Sequence, residues 1–205
     1  FDMFIGYGPM IGLIVAVQTL SILLFYFKAN LGNFQDIKNS LGNAFPSGIV
    51  ALSTMSSMAT LPLTLEAAED NTKNKAVAQI MIPATVNIHH VGDSVAIPIL
   101  IAVVLAMNGI EPMGYGTFLL FSIYYMVAKF GVPSVPGGEL VVVSPVLIGY
   151  FGFTNTEIGL LTTLYLLMDP FITVTNVLSN GALAIVMDKL CGRMKTFQHK
   201  EEFSI

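Results

Sequence analysis

The chain has 205 residues, of which 54% are hydrophobic and only 11% are charged. Soluble domains carry about 25% charged residues, so this chain lacks the charge to cover a surface in water, and its composition is that of a membrane protein. The net charge is -4, without a basic tract for nucleic acid. The single cysteine, Cys191, excludes an internal disulfide and a cysteine-based metal site.

The first apolar segment has no charged residue from Met3 to Phe27. About 20 apolar residues in a helix span the ~30 Å hydrocarbon core of a bilayer. This predicts a spanning helix over residues 1–28, closed by Lys28 and a polar turn at 30–33. Because the sequence starts with Phe1 and not with Met, we expect further chain to precede it.

The second segment, residues 36–70, is uncharged from about Ser40 to Leu65. Its centre carries five hydroxyl side chains and a proline: Ser53, Thr54, Ser56, Ser57, Thr60 and Pro62. A straight helix that faces lipid has little reason to place these groups at mid-depth. Irregular backbone at that depth is tolerated only inside protein or beside a water-filled cavity. We therefore predict a re-entrant hairpin of two half-length helices that meet at a polar tip.

The third segment, residues 75–108, is predicted as a broken spanning helix, because polar residues interrupt its middle: Asn87, His89, His90 and Asp93. Ionisable side chains inside a membrane are functional candidates and often belong to proton relays. They therefore indicate a proton-linked or altered cation site. The structural alternative is that His89 stays neutral with one hydrogen bond within the bundle, while His90 faces a neighbouring scaffold.

The fourth segment, residues 113–153, is predicted as a second re-entrant hairpin. Two prolines and three glycines within 131–138 cannot continue a helix. Glu139 follows this tip and either caps the second half-helix, whose N-terminus favours a carboxylate, or binds a cation or proton. Lys129 either pairs with Glu139 across the hairpin or serves as the partner of an anionic substrate.

The fifth segment, residues 157–190, is predicted as a polar spanning helix, followed by a tail at 191–205. It carries Asp169, Thr173, Thr175, Asn176 and Asn180. An unpaired carboxylate would be costly in a span that is otherwise free of charge. Asp169 is therefore a candidate for binding substrate or a cation, with an ion pair to Lys129 as the structural alternative.

Two hairpins, each followed by a helix with polar residues at mid-depth, form an internal repeat of the inverted kind. Paired interruptions in the two halves of a membrane protein point to a transporter's binding site. If the first helix runs inward, most basic residues fall on one side: Lys28, Lys38, Lys73, Lys75, Lys189, Arg193, Lys195 and Lys200. Basic residues mark the cytoplasmic side, which predicts a cytoplasmic C-terminus.

These motifs together resemble a known family. The run Ser56-Ser57-Met58-Ala59-Thr60-Leu61-Pro62, Asn87 in a helix break, the tip at 131–138 and the polar face from Asp169 to Asn180 occur in the family's order. The chain resembles the C-terminal half of the dicarboxylate/amino acid:cation symporters, the sodium:dicarboxylate and glutamate transporter family. The resemblance implies an all-α, elevator-type transport domain that slides against N-terminal scaffold helices within a homotrimer.

The resemblance also implies roles for individual residues. Those that bind substrate would be Ser56, Ser57, Thr60, Val135, Gly137, Asp169, Thr173 and Asn176. Asp169 would pair with a substrate ammonium group, while Ser56 and Ser57 would hold its carboxylate. Those that bind the coupling cation would be Asn87, His89, Asn176 and Asn180, with sodium at Asn87, Asn176 and Asn180.

Three positions depart from the family's pattern. Ile172 stands where members that carry acidic substrates have an arginine, four residues before Asn176. His89 replaces an aspartate in the helix break, next to His90, where glycine is usual. Many members have a sodium-binding aspartate at the position of Asn180. A buried anion without a partner is costly, so neutral amino acids, or dicarboxylates bound by other groups, are the expected substrates.

The sequence therefore predicts a secondary active symporter that moves a small carboxylate-bearing solute with sodium or a proton by alternating access. It would be a multi-pass protein of the plasma membrane, not an enzyme, and without a cofactor or nucleic-acid partner. The alternative is a truncated or divergent membrane subunit without transport activity of its own.

Overall fold

The computed structural model describes residues 2–131 and 136–202, with side chains from 7–131 and 136–193. Over these residues the chain consists of helices joined by short turns, without a strand, which confirms the predicted all-α class. The helices are α1 Asp2–Ala29, α2 Phe34–Thr54, α3 Ser57–Asn71, α4 Lys75–Thr85, α5 Val91–Met107, α6 Tyr115–Ala128, α7 Gly138–Phe151 and α8 Asn155–Glu202, with a 3-10 turn at Lys129–Gly131.

Four of the described helices begin at side-chain caps that the sequence supplies: Asn33 for α2, Ser56 for α3, Asn74 for α4 and Thr154 for α8. In each, the side-chain oxygen accepts a hydrogen bond from a backbone N–H of the first turn. Such caps contribute about 1 kcal/mol each. α2 ends at Met55, whose φ of 51° lies in the left-handed region and turns the chain sharply towards α3.

α2 and α3 form an antiparallel pair, called here the first hairpin. Its tip is the short connection Met55–Ser56. At the opposite end, the Asn71 amide donates a hydrogen bond to the Ser40 carbonyl at 3.0 Å and accepts one from Asn43 at 2.8 Å. These two bonds fix the register of the helices far from the tip.

α6 and α7 form the second hairpin. The rings of Tyr124 and Tyr150 stack at one end of the pair, with centroids 4.5 Å apart. At the other end, Lys129 Nζ lies 2.9 Å from Glu139 Oε1. The two helices are therefore antiparallel, and the ion pair lies close to the tip of the hairpin.

The last helix is the central element of the molecule. α8 packs against α1, α2, α3, α4, α5 and α7. The largest apolar cluster joins α5 to α8 and includes Ile97, Leu100, Leu161, Met168 and Ile172. Side chains that point from α8 to different sides can therefore reach both hairpins and the break between α4 and α5.

Two helices are long and apolar enough to cross a bilayer by length and composition, Tyr7–Ala29 in α1 and Asn155–Arg193 in α8. Both expose large apolar side chains: Leu13, Leu20, Leu23, Leu24, Phe27, Leu166 and Leu167. Such a surface suits a lipid or protein neighbour. α8 continues as a helix to Glu202, through the segment predicted as a tail from residue 191.

Candidate functional site

The break between α4 and α5 covers residues 86–90 and contains the half-buried Asn87. α5 then begins directly against α8. A Cβ atom at Gly92 would overlap the backbone carbonyl oxygen of Ile172, so this crossing requires glycine. Ile172 itself is fully buried in the apolar core. The position of the family's arginine is therefore a packing position in this chain.

Asn176 on α8 holds the first turn of α5 through both atoms of its amide. Its Oδ1 accepts a hydrogen bond from the Gly92 N–H at 2.8 Å, and its Nδ2 donates to Asp93 Oδ2 at 2.7 Å. The Tyr165 hydroxyl donates to Asp93 Oδ1 at 2.7 Å. Each carboxylate oxygen of Asp93 thus has a neutral donor from α8, which offsets part of the cost of burying its charge.

Asp169 lies seven residues before Asn176 on α8 and connects this helix to the second hairpin. Its Oδ2 accepts a hydrogen bond from the backbone N–H of Gly137 at 3.0 Å. Its Oδ1 accepts one from the hydroxyl of Thr173 at 3.2 Å. Gly137 has a φ of 70°, a conformation that favours glycine. The buried carboxylate is therefore engaged by the backbone at the start of α7.

His89 and Asn180 meet on a different part of α8. The Nδ1 atom of His89 lies 2.9 Å from Asn180 Oδ1, and the ring packs edge-on against Phe25, with centroids 5.7 Å apart. The amide oxygen can only accept a hydrogen bond, so Nδ1 carries the proton. One hydrogen bond inside the bundle is a feature that the structural alternative for His89 expects.

The tip of the first hairpin uses its hydroxyl groups locally. Ser56 Oγ accepts the Ala59 N–H at 3.2 Å as the cap of α3, and the Thr60 hydroxyl donates to the Ser56 carbonyl at 2.8 Å. Ser57 and Thr60 are both buried. These side chains lie in the protein interior, and binding a ligand through Ser56 Oγ would compete with the capping bond.

A second polar cluster lies where α5 meets the second hairpin. Lys129 Nζ is 2.9 Å from Glu139 Oε1, 3.9 Å from Asp93 Oδ2 and 3.1 Å from the Tyr125 hydroxyl. His90 Nδ1 lies 3.6 Å from both Asp93 Oδ2 and Glu139 Oε2. We call His90, Asp93, Lys129 and Glu139 the buried quartet, since all four are buried.

A pair between Lys129 and Glu139 was one of the alternatives that the sequence left open for Lys129, and the structure places these side chains in contact. Sequence reasoning did not bring His90 and Asp93 to the same place. The available signal was charge alone, because Asp93, Lys129 and Glu139 are ionisable residues in apolar segments and each needs a partner at depth. Which partner each one finds depends on the rotation of α5 relative to the hairpin.

The predicted substrate residues Asp169, Thr173 and Asn176 lie on α8 near the start of α5 and the second hairpin. Of the predicted cation residues, Asn180 contacts His89, while Asn176 contacts Gly92 and Asp93. Val135 lies outside the described residues. Among the described residues, the carboxylates paired with Lys129 are those of Glu139 and Asp93, and not that of Asp169.

Comparison with known proteins identifies relatives that are transporters. The chain is 30% identical over 151 residues to "Excitatory amino acid transporter 1" of Ambystoma tigrinum, which covers 73% of this chain and 27% of the relative. It is 32% identical over 153 residues to "Serine/threonine transporter SstT" of Streptococcus thermophilus, which covers 73% and 37% respectively. "Excitatory amino acid transporter 3" of Mus musculus is 28% identical over 178 residues, or 86% and 33%.

The chain thus spans about a quarter to two fifths of the length of the relatives that it matches. The sodium:dicarboxylate symporter family is matched over a much larger share of the chain, residues 1–190. The chain belongs to the sodium:dicarboxylate symporter family, a family of membrane transport proteins.

Proposed function

We propose that the protein containing this chain is a secondary active symporter for a small carboxylate-bearing solute, with neutral amino acids as the favoured substrates. The observation that carries this proposal is the position of the Asp169 carboxylate. Its carboxylate is buried and faces the backbone N–H of Gly137 at the start of α7. A substrate ammonium group can replace that N–H as the donor to the carboxylate, and such charge-assisted bonds are the stronger ones.

The substrate carboxylate would then lie towards the tip of the first hairpin. Ser56 and Ser57, with the backbone N–H groups of the first turn of α3, offer donors there, and a helix N-terminus favours an anion. Asp169 on α8 and the two hairpin tips would thus bind opposite ends of an amino acid. Family membership and the similarity to a transporter named for serine and threonine support this assignment.

The absence of a free cation beside Asp169 among the described residues argues against an acidic side chain. Ile172 is fully buried in the apolar cluster. Lys129 is engaged by Glu139 at 2.9 Å. A second carboxylate on the substrate would therefore have to be buried without a positive partner, which costs several kcal/mol.

In the proposed arrangement, α1, the α4–α5 pair and α8 cross the bilayer, while both hairpins are re-entrant and the C-terminus is cytoplasmic. The structure offers support at one end of the molecule. The carboxylate of Asp188 accepts the backbone N–H groups of Lys73 and Asn74, and Lys189 Nζ donates to the Ala29 carbonyl at 2.6 Å. These contacts gather chain segments rich in basic residues, as a cytoplasmic face requires.

By the family resemblance, this domain would move against N-terminal scaffold helices in a trimer, and the coupling ion would be sodium or a proton. A sodium ion at Asn176 and Asn180 would have to replace existing hydrogen bonds. In the described conformation their Oδ1 atoms accept bonds from the Gly92 N–H and from His89.

The first prediction tests the role of Asp169 in the full-length protein, reconstituted into liposomes. We expect saturable uptake of neutral amino acids, and we expect Asp169→Asn to reduce it by at least about tenfold, the equivalent of ~1.4 kcal/mol of lost binding. Asp36→Asn is the matched control, because Asp36 lies exposed in the first turn of α2. Its uptake should equal that of the wild type.

Uptake should be measured for neutral amino acids, acidic amino acids and dicarboxylates, with sodium and proton gradients imposed separately. Preferred uptake of acidic amino acids would contradict the substrate assignment. A correctly folded protein that transports none of these solutes would favour the alternative, a membrane subunit without transport activity of its own.

A further inference from the structure

The buried quartet has an unbalanced charge. Asp93 and Glu139 each contribute one negative charge when ionised, Lys129 contributes one positive charge, and a neutral His90 contributes none. All four side chains are buried, with exposed fractions of 2–8%. One net negative charge therefore remains among these buried side chains, and desolvating an uncompensated charge costs several kcal/mol.

Hydrogen bonding fixes the tautomer of His90. Its Nε2 atom lies 3.0 Å from the backbone carbonyl oxygen of Val86. A carbonyl can only accept, so Nε2 carries a proton. In the neutral ring Nδ1 is then a lone pair, and it faces Asp93 Oδ2 and Glu139 Oε2, both at 3.6 Å. A lone pair directed at two carboxylate oxygens is repulsive.

The two carboxylate oxygens of Glu139 differ in their hydrogen bonding. Oε1 accepts a hydrogen bond from Lys129, whereas Oε2 is buried and accepts none from the described residues. Both oxygens of Asp93, by contrast, have donors from α8, Tyr165 and Asn176. The unsatisfied acceptor of the cluster therefore faces His90 Nδ1.

We infer that the buried quartet is a binding site for one proton, held between Nδ1 of His90 and Oε2 of Glu139, and that this proton fastens the second hairpin to α5. Once the proton is bound, the cluster has two negative and two positive charges, or the equivalent neutral pair of imidazole and carboxylic acid. Both nitrogens of His90 and both oxygens of Glu139 then have hydrogen-bond partners. The inference rests on the proposed function, because the fastening has a role only if the hairpin moves during transport.

The position of Lys129 favours a proton over a metal ion. Its ammonium group lies 2.9 Å from Glu139 Oε1 and 3.9 Å from Asp93 Oδ2, between the two carboxylates. A metal ion bound by both carboxylates would have to displace it. A proton needs no such space.

The quartet also borders a route by which a proton can arrive. His90 and Lys129 line a cavity of about 510 Å³ between the helix break and α6, together with Ser94, Ser122 and Tyr125. The hydroxyl groups and the imidazole ring along its wall can exchange protons with water that enters the cavity.

In the described part of the chain, titratable groups reach the surroundings of His90 from several elements. Asp93 lies on α5, Tyr125 on α6, Lys129 on the 3-10 turn and Glu139 on α7. From α8, Tyr165 bonds to Asp93, and the carboxylate of Asp169 adds a further negative charge near it. His89 precedes His90 in the chain, but its Nδ1 faces Asn180.

The contrast between the neighbouring histidines provides a matched control. His89 contacts a neutral amide and an aromatic ring, Asn180 and Phe25, and it forms no ion pair within the described part of the chain. His90 faces two carboxylates. The same substitution at each position therefore separates the proton site from a general effect of losing an imidazole in the helix break.

The second prediction concerns the full-length protein, whose apparent Kd for a transported neutral amino acid is measured between about pH 5.5 and pH 8.5 at constant sodium. We expect tighter binding as the pH falls, by at most about tenfold per pH unit, the limit for one linked proton. His90→Phe should bind weakly at every pH. His89→Phe should keep the wild-type dependence.

Glu139→Gln distinguishes the proton site from simple loss of structure. The glutamine Oε1 can accept a hydrogen bond from Lys129 while its Nε2 donates one to the Nδ1 lone pair of His90. The contact between the second hairpin and α5 therefore forms without the extra proton. At every pH, this variant should bind the amino acid with the affinity that the wild type shows at low pH. If it keeps the wild-type pH dependence, or if His89→Phe abolishes that dependence while His90→Phe does not, the inference is wrong.

A readout without substrate separates this inference from the proposed function. Leu140, next to Glu139, is buried, and Cys191, the one cysteine of this chain, is replaced by serine together with any cysteine in the rest of the full-length protein. A thiol introduced by Leu140→Cys should be alkylated more slowly as the pH falls. The same thiol in the Glu139→Gln background is the reference, because its rate shows how much of the slowing comes from protonation of the thiol itself. The rate relative to this reference should fall at low pH. No relative change would overturn the proton site, whereas failure to bind any amino acid would overturn only the proposed function.

Discussion

The two helical hairpins are held together by different kinds of interaction. In the first hairpin, neutral groups join the helices, with Asn71 bonded to Ser40 and Asn43, and Ser56 as the cap of α3. In the second hairpin, a buried ion pair between Lys129 and Glu139 joins α6 to α7. The contacts of the first hairpin are therefore insensitive to pH and salt, whereas those of the second depend on the charges around it.

This difference assigns the hairpins different parts in the proposed mechanism. A typical hydrogen bond between neutral groups contributes about 0.5–1.5 kcal/mol, and such groups do not change charge near neutral pH. When one partner of a buried ion pair is removed or neutralised, the free energy of unfolding falls strongly. The second hairpin can thus change its stability when a single charge changes, and the first cannot. In an alternating-access cycle, the second hairpin is the one suited to open and close.

The largest expected effect comes from breaking the ion pair of the second hairpin. Lys129→Met leaves two carboxylates, Asp93 and Glu139, without their ammonium partner, so the free energy of unfolding should fall by about 3–5 kcal/mol. Chemical denaturation of the detergent-solubilised protein measures it. The control is Lys75→Met, whose pair with Glu69 lies 3.6 Å apart with the lysine 63% exposed, and should cost at most about 1 kcal/mol.

Adding Glu139→Gln to Lys129→Met should recover part of this loss. Only Asp93 would remain ionised, and it keeps its hydrogen bonds from Tyr165 and Asn176. Equal stability of Lys129→Met and Lys75→Met would contradict the view that the second hairpin is stabilised by buried charge.

The sequence predicts these features unequally. The all-α class follows from apolar segments of helix-spanning length and from the family resemblance, and opposite charges on either side of a tip rich in glycine and proline offer the Lys129–Glu139 contact as one alternative. Composition and spacing do not set the rotation of α5 that places His90 and Asp93 against that pair. That rotation is fixed by the close crossing at Gly92, which only the packed structure reveals.

The hydrogen bonds of Asn176 were likewise beyond sequence reasoning. A mid-depth asparagine predicts a polar role, and the family resemblance implies contact with substrate or cation. Its two bonds, to the Gly92 N–H and to Asp93, depend on where a second helix begins. A functional role at Asn176 therefore has to be tested against this structural one.

An intermediate effect is expected at the base of the first hairpin. Asn71→Ala removes the bonds to Ser40 and Asn43, and the free energy of unfolding should fall by about 1–3 kcal/mol. Because both bonds join neutral groups, the loss should be the same at low and high salt and across the neutral pH range. A salt-dependent loss would show that charge also contributes to the first hairpin. Gln35→Ala is the control, since its amide contacts only the exposed Asn39.

The smallest effect is expected at the tip of the first hairpin, where one side chain has two candidate roles. Ser56→Ala removes the cap of α3 and should lower the free energy of unfolding by about 1 kcal/mol. Ser56→Asn restores the cap, because asparagine is as good an N-cap as serine. If Ser56 Oγ also binds the substrate carboxylate, Ser56→Asn should recover stability but not affinity. Recovery of both, measured by denaturation and by amino-acid binding, would leave Ser56 a purely structural cap and assign the carboxylate to Ser57 and the backbone of α3.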